Sequence, residues 1–164
     1  MIRAMAINDL QKAVKFIVTT AAIAVPLYFL FTFTTFLHEI AARGAQFFLT
    51  LLGKSASLVF TGSPLFPHLL IPGGDIEISD LCSGALELAL LIGFISASAD
   101  RSVNYRIKGI VVGVVFFLLF NAARIAFTIN SFGTAAFVPL HDVLFRLTLI
   151  IGLVTFYAVW YYWR

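Results

Sequence analysis

Four apolar stretches, residues 14–37, 83–99, 109–131 and 143–163, limit what this chain can fold into. Each approaches the roughly 20 residues an α-helix needs to cross the hydrocarbon of a bilayer. Little remains outside them. Of the 164 residues, 61% are hydrophobic and 12% charged, and the mean hydropathy is +1.01. Such a composition cannot give a soluble globule a normal polar surface. The expected fold is therefore an all-α membrane protein: one polytopic domain over residues 1–164, built as a bundle of four transmembrane helices.

The segment from about 40 to 81 is different in character. At 40–53, Arg43, Gln46, Thr50 and Lys54 recur on one side of a helix, with Phe47, Phe48, Leu51 and Leu52 on the other, which predicts a short helix lying in the membrane interface. Residues 57–81 carry three prolines and three glycines, and Asp75-Ile76-Glu77-Ile78-Ser79 alternates with the period of a strand. A hairpin pairing Leu58–Phe60 with Ile76–Ile78 is expected. Irregular backbone of this kind cannot face lipid, so 40–81 reads as a small extracytoplasmic cap of strand and loop.

Charge gives the orientation. Arg3, Lys12 and Lys15 precede the first apolar stretch, and Arg101, Arg106 and Lys108 lie between the second and third. Basic flanks stay on the cytoplasmic side, which agrees with the count of crossings. The first stretch is too long for the apolar core of a signal peptide and has no small-residue cleavage site after it, so it reads as a retained helix. The formal charge of +3 comes from scattered residues with no basic run, which argues against nucleic acid as a partner. A single cysteine excludes an intrachain disulfide and any CxxC redox or zinc pattern.

Several polar residues stand where an apolar helix should have none. Arg124 lies seven residues inside the outer end of the third helix, roughly 10 Å deep at 1.5 Å per residue. Facing lipid there costs several kcal/mol, so it must point into the bundle or a watery cleft. Asn121, Arg124 and Thr128 share one face of that helix. His141, Phe145, Thr148, Gly152 and Thr155 form a similar face on the fourth helix. Cys82 opens the second helix and His141 the fourth, so three distant residues fall at one depth.

Each has a plainer reading. A lone cysteine is commonly a small buried apolar residue. What favours a reactive Cys82 is its place at a helix N-terminus, before Ser83 and Gly84, with a cation and an imidazole at the same level. Gly84 would let a substrate backbone come close. Arg124 could be a structural ion pair with Glu87, and His141 an interfacial histidine. Arg146 is explained by Asp142 four residues before it. His38, Glu39 and His68 read as interfacial, and no metal-ligand spacing is displayed. A scaffold or export subunit, or a small transporter using Arg124 to bind solute, stays open on these grounds.

Taken together, Ile78-Ser79-Asp80-Leu81-Cys82-Ser83-Gly84 before a membrane helix, Asn121-Ala122-Ala123-Arg124-Ile125 late in the next, and His141-Asp142 opening the last resemble the exosortase/archaeosortase family. Each element is common alone; their order, spacing and depth make the match specific, over about residues 40 to 160. The resemblance implies a membrane-embedded cysteine transpeptidase of the prokaryotic plasma membrane. It would cleave a C-terminal sorting signal from tail-anchored exported proteins and transfer the new C-terminus to a lipid or envelope acceptor, with no cofactor. Carried over by position, Cys82 is the nucleophile, Arg124 the electrostatic stabiliser and His141 the acid/base, with Asp80, Ser83, Gly84, Glu87 and Asn121 in support. Some archaeal members have an arginine where others have the histidine, which makes Arg146 a lesser candidate. The chain is shorter than members with additional N-terminal helices.

Overall fold

Apolar side chains that need partners, and backbone that needs hydrogen bonds, meet here in a mostly helical molecule with one small sheet. The computed structural model describes residues 2–62, 65–143 and 149–163. In chain order these form α1 (Ile2–Phe33), α2 (Phe36–Leu51), β1 (Ser57–Thr61), β2 (Phe66–Ile71), β3 (Gly74–Glu77), α3 (Ala85–Ala97), α4 (Val103–Asn130), α5 (Phe137–Val143) and α6 (Leu149–Tyr162).

Two of these helices are long and apolar enough to cross a membrane, at Asp9–Phe33 and Val103–Asn130. Two others, Ala85–Ala97 and Ile150–Tyr162, are apolar but shorter. At 13 residues α3 measures about 20 Å, against roughly 30 Å of hydrocarbon. Large apolar side chains such as Ile17, Val18, Phe33, Val111, Val112 and Ile151 are exposed over the helix surfaces, as suits contact with lipid.

Several boundaries differ from those read in the sequence. The first helix ends at Phe33, short of Leu37. The Thr32 and Thr34 hydroxyls bond back to the carbonyls of Tyr28 and Leu30, and the chain bends before α2 begins at Phe36. Such local bonds give the backbone an alternative to continuing the helix. The buried stripe of α2 is Leu37, His38, Ala41, Ala42, Ala45 and Leu49. Phe47, Leu51 and Leu52 are exposed instead, because the small alanines are what allow α4 to approach closely. On the polar side Arg43 pairs with Glu39 at 2.7 Å.

The expected hairpin is corrected to a three-stranded antiparallel sheet in the order β1-β2-β3. Leu58–Phe60 pair with residues 67–69 of β2, and β2 in turn pairs with β3 through His68↔Glu77 and Leu69↔Ile76. Further along, α4 begins at Val103, with the Ser102 hydroxyl accepting from the Tyr105 N–H, so Arg106 and Lys108 belong to its first turns and not to a loop. Of the expected last helix, 143–163, the described part is α6, and the separate α5 precedes it, so that His141 lies in the last turn of α5 and does not open the last helix. Phe145, Arg146 and Thr148 lie outside the described residues, as does the side chain of Asp142.

Two apolar clusters hold the fold. One lies under the sheet and joins Ala41, Ala42, Ala45 and Leu49 of α2 to Leu69, Ile78, Ile125, Ala126 and Ile129. The other joins Leu88, Leu91 and Ile95 of α3 to Phe117, Leu153 and Trp160. Both draw on α4, and between Phe117 and Ile125 that helix carries its two buried polar residues, Asn121 and Arg124.

Candidate active site

The turn that carries the cysteine is built from short local bonds. The N–H groups of Cys82 and Ser83 both donate to the Ser79 carbonyl, at 2.9 and 3.0 Å. The Ser83 hydroxyl donates to the Asp80 carbonyl at 2.7 Å and accepts from the Ala85 N–H at 3.2 Å. Gly84 completes the turn at φ +77°, a conformation that costs an L side chain about 1–2 kcal/mol. A Cβ there would also lie 3.2 Å from the Asn121 side chain.

Two distant side chains tie this turn to the helices. Asn121, 3% exposed, donates through Nδ2 to the Cys82 carbonyl at 2.9 Å and accepts from Arg124 Nη2 at 2.8 Å. One amide therefore links the guanidinium to the backbone of the cysteine. From α2, His38 Nε2 lies 2.8 Å from Asp80 Oδ1, with the Phe66 ring set edge-on at 5.4 Å. The imidazole is 0% exposed, and Nδ1 is buried with no hydrogen-bond partner among the described residues. A buried donor at Nδ1 would be costly, so the tautomer with hydrogen on Nε2, donating to the carboxylate, fits the site.

Cys82 is half-buried and free, and its Sγ accepts from the Ser79 hydroxyl at 3.7 Å. It lines a cavity of about 100 Å³ together with Arg124 and His141. The remaining wall is Ile76, Glu77 and Ile78 from β3 and its extension, Ile125, Thr128 and Ile129 from α4, and Phe137 from α5. Arg124 lies within electrostatic reach of Cys82 and of the Glu87 carboxylate. His141 sits in the last turn of α5, its ring 6.0 Å from that of Phe137, which meets Phe132 edge-on at 5.2 Å.

Of the residues singled out in the sequence, Cys82, Arg124 and His141 share this cavity, while Asp80, Ser83, Gly84 and Asn121 shape the turn beside it. Glu87 lies in the first turn of α3, outside the cavity wall. Arg146 is outside the described residues. His38 is the residue misjudged: it is not interfacial but wholly enclosed, and it grips the cysteine turn. Its distance of 42 positions from Asp80 left no local spacing to reveal the pair. His68, also read as interfacial, pairs with Asp75 at 2.9 Å across the sheet.

Fold and site together define a helical membrane protein with a thiol, a guanidinium and an imidazole gathered on one small cavity. Residues 6–158 match the model of the transmembrane exosortase family, and the chain belongs to that family. It is 31% identical over 77 residues to a protein described as probable archaeosortase D of Methanocaldococcus jannaschii. That alignment covers 47% of this chain and 50% of the relative. The chain thus spans about half the length of the curated relative it matches. No solved structure is significantly similar.

Proposed function

We propose that this protein is a membrane-embedded cysteine transpeptidase that cleaves the C-terminal sorting signal of exported proteins and passes the new C-terminus to a lipid or envelope acceptor. The observation that carries the reading is the single cavity shared by Cys82, Arg124 and His141, which come from three separate elements.

In this reading Cys82 Sγ attacks the scissile carbonyl carbon while the thiol proton passes to His141. The carbonyl electron pair moves onto oxygen, and the oxyanion forms against Arg124, which Asn121 holds in place. Collapse breaks the C–N bond. The departing amine takes the proton from His141, leaving a thioester on Cys82. An acceptor hydroxyl or amine then loses its proton to His141 and attacks the thioester, and Cys82 recovers the proton. The apolar wall of Ile76, Ile78, Ile125, Ile129 and Phe137 limits water and so favours transfer over hydrolysis.

Orientation follows from charge. Lys12, Lys15 and Arg106 line one cleft at the far end of α4 from Arg124. With basic flanks on the cytoplasmic side, the cavity opens to the extracytoplasmic face.

The test is co-expression with an exported protein from the same genome that ends in a short motif, an apolar helix and a basic tail. Mass spectrometry should find that protein shortened and a thioester on Cys82. An intact substrate beside a well-folded protein would sink the proposal.

A further inference from the structure

The cavity wall includes three consecutive residues, Ile76, Glu77 and Ile78. Side chains alternate along a strand, so a space that touches all three runs along the edge of the backbone and not over one face. That edge is open. β3 pairs with β2 alone, and among the described residues no strand lies on its other side. The ladder shows which main-chain groups point there. Ile78 N–H donates to the Pro67 carbonyl at 3.0 Å, and antiparallel pairing alternates, so Ile76 and Gly74 also turn toward β2. The N–H and C=O of Asp75 and Glu77 therefore face outward, on the side away from β2, and Glu77 lines the cavity.

We propose that this edge binds the substrate as an added strand: an extended polypeptide lies beside β3, its main chain bonded to Glu77, and continues to Cys82. The naming of the occupant rests on the transpeptidase reading, and the surface is continuous with the cavity that holds the thiol. Glu77 and Cys82 are five positions apart, at most about 18 Å of chain. The scissile carbonyl thus falls within about five residues of the paired segment. Alternate substrate side chains face the apolar wall of Ile76, Ile125 and Ile129, while those between face the exposed side with Glu77. Main-chain pairing supplies affinity without regard to sequence, and the apolar positions supply selection.

Gly74 keeps the strand close to the helices. Its Cα faces the Phe132 ring, and a Cβ there would lie 2.7 Å from Phe132 Cε1. The same ring packs on Phe137, so the edge strand and the helix bearing His141 rest on one aromatic contact.

Disulfide trapping tests the proposal without requiring catalysis. Cys82→Ala leaves the chain with no cysteine, and Glu77→Cys then places one on the edge strand. Single cysteines are moved one residue at a time along a co-expressed exported protein, upstream of its C-terminal helix, and the pair is oxidised with copper phenanthroline. Cross-links at every second substrate position are expected. Cross-links at every third or fourth position, or none, would overturn the strand. Alternate cross-links to a substrate that the wild-type chain never cleaves would sink the transpeptidase reading and leave the strand standing. As a second measurement, Glu77→Pro removes the outward N–H while sparing the bonds to β2. It should weaken substrate capture about tenfold, with Cys82 labelling by maleimide unchanged; capture at the wild-type level would overturn the proposal.

Discussion

Asn121 reaches from α4 to the carbonyl of Cys82, donating at 2.9 Å, and so joins the helix that carries Arg124 to the turn that carries the thiol. The two roles of this amide can be separated. Asn121→Asp keeps an acceptor for Arg124 but has no donor for the Cys82 carbonyl. Processing of a co-expressed substrate should slow by about tenfold while the protein still folds. Asn121→Ala removes both bonds inside a buried site and should cost about 1–3 kcal/mol of stability as well, read by thermal unfolding in detergent.

The His38–Asp80 pair predicts a different pattern. Asp80→Asn retains an oxygen that can accept from His38 Nε2, so stability and processing should stay close to wild type. Asp80→Ala leaves the enclosed imidazole without its partner and should lower stability by about 1–3 kcal/mol and slow processing. Equal behaviour of the two variants would mean that the pair does not hold the turn.

Replacement of the thiol distinguishes an enzyme from a scaffold. Cys82→Ser and Cys82→Ala should each reduce cleavage by about a thousandfold or more, with expression and melting unchanged. The sulfur is half-buried and its bond to the Ser79 hydroxyl is long, so exchanging it for oxygen or hydrogen should disturb the fold little. Full processing by the serine or alanine variant would return the chain to the class of non-catalytic membrane scaffolds.

Arg124→Lys keeps the charge but not the planar fork that serves Asn121 and an oxyanion together. Cleavage should fall by about a hundredfold with little change in substrate capture, a split that single-turnover assays would resolve. Loss of capture with cleavage intact would point instead to a solute-binding arginine.

What the sequence revealed of this site came from depth. An arginine deep in an apolar helix has few places to point, and Cys82 and His141 stand just before the second and fourth apolar stretches, so a common layer could be expected without a structure, although His141 proves to close α5 and not to open a helix. Asn121 was visible as the neighbour of Arg124 one turn back. The sheet was misread because Pro67 disguised β2: a proline inside a short apolar run argues against a strand. Here Pro67 stands second in the strand, and its carbonyl still accepts from Ile78, so only one ladder bond is lost. His38 was hidden for a different reason. The bend at Thr34–Thr35 carries no glycine or proline, so the first helix seemed to run past it, and a histidine that opens a second helix looked like one that closes the first.

In a bilayer the shortness of α3 becomes a matter of local thickness. If α3 crosses the bilayer as the proposed reading has it, a helix of about 20 Å would fall short of the hydrocarbon by about 10 Å, a deficit that lipids meet by thinning around it. The pinched patch would form beside Cys82, where the turn stands at the head of α3. On the proposed reading, with a lipid as acceptor, a headgroup hydroxyl or amine would be drawn downward there, toward the sulfur, without leaving its own leaflet.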